Sequence, residues 1–87
     1  MTRPRLATGA RLGYDEVRKE HVLLVPEGAV RLNRTAAEVL ELCDGQRSVD
    51  EIVGALSERY DGADLRDDVR GLVEAMAQKG LVVDAAA

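Results

Sequence analysis

The stretch that decides the fold runs from His21 to Asn33 and reads His-Val-Leu-Leu-Val-Pro-Glu-Gly-Ala-Val-Arg-Leu-Asn. Two β-prone runs flank Pro26-Glu27-Gly28. Proline presets the φ of a turn, and glycine accepts the positive φ that closes a three-residue loop with a bulge. We therefore expect Val22–Val25 and Ala29–Leu32 to pair antiparallel. The first run is apolar on both faces, which is typical of a central strand.

The second run is predicted to be an edge strand, because no later segment offers it an obvious partner. Side chains alternate along a strand, so Val30 and Leu32 should face the core while Ala29 and Arg31 face away, with Arg31 free to meet an acidic group. An edge strand presents unpaired backbone N–H and C=O groups, which can aggregate or bind a peptide. This strand is therefore our first candidate for a binding site.

The residues before the hairpin supply one more strand. Residues 1–9 contain Pro4 and Gly9 and few apolar side chains, which indicates a flexible N-terminal tail. Arg11–Arg18 is predicted to be a strand, with a turn at Lys19-Glu20. It completes a three-stranded antiparallel meander in which Val22–Val25 is central.

Three helices are predicted after the sheet, followed by a short strand. Capping boxes mark the first two starts, at Thr35 with Glu38 and at Ser48 with Glu51, and the third helix should start at Asp64. Their apolar positions recur at helical spacing, and a glycine should end each helix. The predicted glycine stops are Gly45, Gly62 and Gly80, the short strand is Leu81–Val83, and residues 85–87 should fray.

Strands followed by helices predict an α+β fold. We expect a winged helix-turn-helix-like arrangement, with a three-stranded antiparallel sheet followed by three helices, forming one domain over residues 10–84. A chain of 87 residues makes one small domain with a thin core, and the absence of Trp and Phe makes that core aliphatic.

Charge is distributed unevenly along the chain. Residues 1–34 carry seven basic and four acidic groups, a net charge of +3, whereas residues 35–87 carry five basic and twelve acidic groups, a net charge of −7. The single cysteine, Cys43, cannot form an internal disulfide, which is consistent with a cytoplasmic location. No apolar run is long enough to span a membrane, and no secretory signal is recognisable at the N-terminus.

No group of residues predicts catalysis, a cofactor or a metal. His21 is the sole histidine and is read as an ordinary strand residue, and Cys43 falls on the core face of the first helix. The Asp67-Asp68 pair is adjacent in sequence, so its carboxylates point apart on a helix and make a poor acid–base pair. No Cys/His cluster has the spacing of a zinc or iron–sulfur site.

A winged-helix nucleic-acid-binding or regulatory domain is the alternative reading. The third helix would then contact DNA. Its polar face carries Arg66 and Arg70, but Asp67, Asp68 and Glu74 lie beside them. Phosphate contact needs net positive charge, which this helix lacks, so we expect no nucleic-acid binding.

Three blocks of sequence occur in a characteristic order. They are Leu23-Leu24-Val25-Pro26-Glu27-Gly28, then Leu32-Asn33-x-Thr35-Ala36-Ala37-x-Val39-Leu40-x-Leu42-Cys43-Asp44-Gly45, then Val49-x-x-Ile52-x-x-x-Leu56-x-x-x-Tyr60. In these blocks the chain resembles the coenzyme PQQ synthesis protein D (PqqD) family, and the resemblance extends from about Leu12 to Leu81. PqqD is the type member of the peptide-recognition domains of ribosomal-peptide modification pathways.

The resemblance implies a peptide chaperone without catalytic activity. Such a protein binds the precursor peptide PqqA by strand addition and presents it to the radical SAM enzyme PqqE. The peptide would lie along Ala29–Leu32, in a groove whose other wall is the third helix. On that helix we expect Leu65, Val69 and Leu72 to face inward, and Val73 and Met76 to reach the groove. The chain could be a monomer, or its free edge could support a weak or swapped dimer.

Overall fold

A computed structural model describes residues 1–86 and has the predicted α+β architecture, with a three-stranded antiparallel sheet followed by three helices. A second, two-stranded sheet joins the two ends of the described chain. The elements are β1 (Pro4–Leu6), β2 (Arg11–Asp15), β3 (Glu20–Val25), β4 (Gly28–Leu32), α1 (Arg34–Glu41), α2 (Val49–Arg59), α3 (Arg66–Gln78) and β5 (Val82–Asp84).

The larger sheet has the order β2-β3-β4, which confirms the meander and leaves β4 at an edge. Leu23 of the central strand is fully buried, as expected for a strand that is apolar on both faces. The β3–β4 loop is shorter than predicted, because Val25 pairs with Gly28 and only Pro26 and Glu27 lie between the strands. Gly28 does take a positive φ, of 148°, but as the first residue of β4.

The first hairpin turns earlier than predicted, because an aspartate stabilises the turn. β2 ends at Asp15, and the Asp15 carboxylate accepts hydrogen bonds from the backbone N–H groups of Val17 (3.0 Å) and Arg18 (3.1 Å). Lys19 closes the turn with a φ of 57°. Arg11–Arg18 is therefore not one strand. Asp and Asn side chains commonly hold turns in this way, and here Asp15 does so for a turn that contains no glycine.

The helix starts correct one prediction and confirm another. Asn33, rather than Thr35, caps α1, because its side-chain oxygen accepts a 2.7 Å hydrogen bond from the Ala36 N–H. The predicted Thr35 capping box is wrong. The Ser48–Glu51 capping box of α2 is confirmed, with reciprocal bonds of 3.1 Å and 2.9 Å.

Two other helix ends lie inside the predicted bounds. α1 ends at Glu41, so Cys43 follows the helix and Gly45 does not stop it. α3 begins at Arg66, and Asp64 precedes it with its carboxylate 3.2 Å from the Arg66 backbone nitrogen. Helix termini are the least sharply encoded parts of a helix, since several polar residues can satisfy the same N–H groups.

The N-terminal segment contains a strand that the sequence did not reveal. Pro4–Leu6 pairs antiparallel with Val82–Asp84, and Pro4 is fully buried, so the expected flexible tail does not describe these three residues. Ala85, expected to fray, donates a 2.8 Å hydrogen bond to the carbonyl oxygen of Arg3. Ala87, the last residue expected to fray, lies outside the described residues.

The core is aliphatic, as the composition predicted, and lies between the inner face of the larger sheet and the three helices. Its fully buried side chains come from every layer: Leu23 from β3, Leu40 from α1, Ile52 and Leu56 from α2, and Val69 from α3. Partly buried apolar residues of the sheet and helices pack around them. This packing places α1 against both β4 and α3 and so shapes the candidate site.

Candidate functional site

The outer edge of β4 offers backbone groups for a further strand. A two-residue loop makes Val25 and Gly28 a hydrogen-bonded pair, and such pairs alternate along an antiparallel ladder. Leu23 with Val30, and His21 with Leu32, are therefore also hydrogen-bonded pairs. The N–H and C=O groups of Ala29 and Arg31 consequently point away from β3, toward the open edge.

The side chains of β4 alternate as predicted. Leu32 is buried and Val30 is half-buried against the core, whereas Ala29 and Arg31 are exposed. One expectation needs correction: Arg31 is not free, because its Nε lies 3.6 Å from a carboxylate oxygen of Glu20. Since 70% of the Arg31 side chain is exposed, this ion pair is well solvated and can exchange for another carboxylate at little cost.

A cavity of about 370 Å³ opens where β4 ends, between α1 and α3. Leu65 and Leu72 of the α3 region form one wall, and Ala36 and Val39 of α1 form the other. Its polar margin consists of Asn33, Thr35 and Asp68. The cavity thus combines an apolar interior with a few polar groups, which is the composition of sites that bind apolar side chains.

The structure confirms the inward position predicted for Val69 but reverses those of Leu65, Leu72, Val73 and Met76. Val69, Val73 and Met76 are buried, with 0%, 2% and 6% of their surface exposed, whereas Leu65 and Leu72 are half-buried and line the cavity. The apolar stripe of a helix has two margins, and its periodicity does not tell which margin faces a groove. Leu72 lies on one margin and Val73 on the other.

The α1 side of the cavity was missed by sequence reasoning. Ala36 and Val39 belong to the apolar stripe of the first helix, whose spacing predicts only a core-facing role, yet both line the cavity. A signal existed, since Thr35, Ala36 and Val39 share one side of a helix at helical spacing. That spacing alone cannot show that α3 stands opposite.

The two residues weighed for chemistry occupy structural positions. Cys43 is buried, and burial together with the adjacent Asp44 charge raises its pKa to about 11, so the reactive thiolate is disfavoured. His21 lies in β3 with its ring 5.0 Å from that of Tyr14, in an edge-to-face arrangement. Within residues 1–86, no cluster of three or more His, Cys, Asp or Glu side chains could hold a metal ion.

None of the helices in the described part of the chain combines the length and the apolar character needed to cross a bilayer.

Comparison with known proteins gives consistent matches. A family model described as coenzyme PQQ synthesis protein D (PqqD) matches residues 20–82. A PqqA binding protein of Rhodopseudomonas palustris is 41% identical over 86 residues, covering 97% of this chain and 84% of the relative. The bifunctional coenzyme PQQ synthesis protein C/D of Methylorubrum extorquens is 42% identical over 78 residues, which are 87% of this chain and 21% of that protein.

A solved structure supports the same likeness at the level of the fold. It is the solution NMR structure of the PqqD truncation of Methylobacterium extorquens PqqCD, described as a functional and stand-alone recognition element for ribosomally synthesised and post-translationally modified peptides. It matches with a TM-score of 0.79 and 39% identity, over 92% of this chain and 87% of that one.

Proposed function

We propose that this chain, which belongs to the coenzyme PQQ synthesis protein D (PqqD) family, binds the precursor peptide PqqA by strand addition to β4 and presents it to the radical SAM enzyme PqqE. The observation that carries the proposal is the open β4 edge beside an apolar cavity. The name PqqA binding protein, borne by relatives of about 40% identity, supports the identity of the peptide.

The main chain of β4 would supply affinity. A peptide strand beside Gly28–Leu32 would exchange hydrogen bonds with the outward N–H and C=O groups of Ala29 and Arg31. These bonds do not depend on the peptide's side chains, so they set its position without selecting its sequence.

The cavity between α1 and α3 would supply selectivity. Alternate side chains of an added strand point to the inner face of the sheet, the face on which Val30 and Leu32 lie. Asn33 follows β4 directly, Thr35 lies in the first turn of α1, and both lie at the margin of the cavity, so the inner face of the added strand leads into it. An apolar peptide side chain would there contact Leu65 and Leu72.

The role is that of a binding protein without catalysis, located in the cytoplasm. The buried thiol of Cys43 and the imidazole of His21, in edge-to-face contact with Tyr14, serve packing in this reading. The chain would act as a monomer whose β4 edge is covered by the peptide. A paired or swapped dimer would instead use this edge between copies.

Proline substitution at the edge tests strand addition. Arg31→Pro and Ala29→Pro each remove an N–H that points outward, and a proline at an edge position is compatible with the fold. Tyr14→Pro is the matched control, because the β2–β3 register places the Tyr14 N–H on the opposite edge of the sheet. Val30→Pro is unsuitable, since it removes an N–H within the β3–β4 ladder.

Amide NMR titration with synthetic PqqA provides the measurement. We expect both β4 prolines to abolish binding in a folded domain, Tyr14→Pro to bind as the unchanged chain does, and Arg31→Ala to weaken binding only modestly. Unchanged affinity in folded Arg31→Pro and Ala29→Pro would place the peptide elsewhere and overturn the proposal.

A further inference from the structure

A second groove lies on the opposite side of α1 from the peptide cavity. Residues of α1 at positions 35, 36 and 39 line the peptide cavity, whereas those at 34, 37, 38 and 41 line this groove. The two sets occupy opposite faces of the helix. The second groove has a volume of about 570 Å³, and His21 of β3 with Arg59 and Tyr60 at the end of α2 complete its lining.

One carboxylate organises this groove. Glu38 accepts a 2.9 Å hydrogen bond from the Tyr60 hydroxyl, and its oxygens lie 3.3 Å from Arg34 Nε and 3.5 Å from Arg59 Nη1. The Tyr60 hydrogen bond and the two guanidinium charges lower the pKa of Glu38, while burial opposes them. Only 15% of the Glu38 side chain is exposed, so it serves as an internal anchor.

The two arginines keep most of their donors for another molecule. Each guanidinium has five N–H donors in a planar fork, and each approaches Glu38 through one nitrogen. Their side chains are 84% and 48% exposed. A carboxylate outside the chain can therefore be bound at the Arg34 end of the groove. Glu41, in the last turn of α1, also lines the groove and adds a negative charge away from Arg34.

Exposed apolar groups continue the groove along the first hairpin. Tyr14 contacts His21 at the rim and is 46% exposed, and Val17 at the tip of the same hairpin is 92% exposed. Together with Met1, these are the large apolar residues that the described chain leaves in solvent. Tyrosine and arginine are the residue types that dominate protein–protein hot spots.

We propose that this face docks the enzyme that modifies the bound peptide, through a segment of that enzyme that carries a carboxylate to Arg34 and Arg59 and apolar contacts to Tyr14 and Val17. The inference rests on the proposed function, because presentation requires peptide and enzyme to be bound at once. Opposite faces of α1 satisfy this requirement, since a protein seated here leaves β4 open. The available guanidinium donors favour an acidic partner segment.

The test uses variants of the full chain in which a charged side chain is replaced by a neutral one. Each variant is saturated with PqqA, and its affinity for PqqE is then measured by titration. Arg34→Gln combined with Arg59→Gln removes both charges but keeps hydrogen-bonding side chains near Glu38. Lys79→Gln is the matched control, an exposed cation at the far end of α3. We expect the double variant to weaken PqqE binding at least about tenfold and PqqA binding less than about twofold, with Lys79→Gln changing neither.

Val17→Ser provides a variant that cannot disturb the core, because the side chain is 92% exposed. We expect it to weaken PqqE binding by about threefold, in keeping with loss of a rim contact. It decides the question alone should the arginine variant fail to fold.

Several results would overturn the inference, and they separate it from the proposed function. PqqE affinity that is unchanged in the folded variants removes this face as the docking surface while leaving peptide binding intact. Weakened PqqA binding, or loss of self-association by sedimentation with PqqE affinity retained, would assign the groove to the peptide or to a second copy. An unchanged chain that binds PqqA but not PqqE overturns presentation, and one that binds neither overturns the proposed function.

Discussion

The backbone N–H of Thr2 donates a 2.8 Å hydrogen bond to the carboxylate of Asp84, 82 positions later in the chain. The same carboxylate accepts bonds from the backbone N–H groups of Arg3 and Ala86, both at 3.0 Å. These bonds lower the pKa of Asp84 from 3.8 to about 2, and the bond from Arg3 has the largest effect. One ionised side chain thus ties the residues before β1 to the end of β5, next to the ladder that pairs the two strands.

We predict that this carboxylate makes the domain acid-sensitive. Because its pKa is lower in the folded state than in the unfolded state, its stabilisation is complete above about pH 4 and is lost as the pH falls toward 2. Asp84→Asn should lower stability at pH 7 and flatten this part of the stability–pH curve. Denaturant melts of both proteins between pH 2 and 7 provide the check, and parallel curves would contradict the prediction.

The helix caps give a second prediction with an internal control. Asn33→Ala and Ser48→Ala should each lower the free energy of unfolding by about 0.5–2 kcal/mol, because each leaves a first-turn N–H without its acceptor. Thr35→Ala removes a side chain that does not cap α1 and should cost less. A domain of this size has roughly 5 kcal/mol of stability, so urea denaturation resolves the difference. A larger effect at Thr35 than at Asn33 would contradict the observed start of α1.

The two margins of α3 should respond differently to truncation. Leu65→Ala and Leu72→Ala are expected to weaken PqqA binding with small losses of stability, because both side chains are half-buried and line the cavity. Met76→Ala should instead cost about 2–5 kcal/mol of stability, because the side chain is buried in the core. Val73→Ala should also lower stability, but by less, because a smaller side-chain volume is removed.

Paired measurements of peptide affinity and of the urea midpoint separate these two effects. Suppose instead that a stable Met76→Ala variant loses peptide binding while Leu72→Ala binds normally. The groove would then lie on the side of α3 that carries Val73 and Met76, as the sequence predicted.

Short-range sequence patterns were sufficient to predict most of the fold. The hairpin at Pro26–Glu27, the Ser48–Glu51 capping box and the free edge of β4 follow from residues close together in sequence. Predictions failed where equivalent local choices compete, as between Asn33 and Thr35, since either side chain can cap a helix.

Predictions also failed where the deciding partner is distant. Nothing near Pro4 indicates that Asp84 lies opposite it, and nothing in the α3 stripe tells whether Leu72 or Val73 faces the groove. The peptide cavity could not be predicted for the same reason, because its two walls, from α1 and α3, meet only in the folded chain. The β4 half of the candidate site was therefore accessible to sequence reasoning, and the cavity was not.

The pairing of Pro4–Leu6 with Val82–Asp84 has a consequence for the order of folding. β1 has no partner in this sheet until β5 has been synthesised, so the smaller sheet closes after β2 to α3 have left the ribosome. Closing so long a loop is entropically costly, and contacts of high sequence separation form slowly. We expect the β2–β3–β4 meander and the helices to form the folding nucleus, with mutations in β1 and β5 mainly accelerating unfolding.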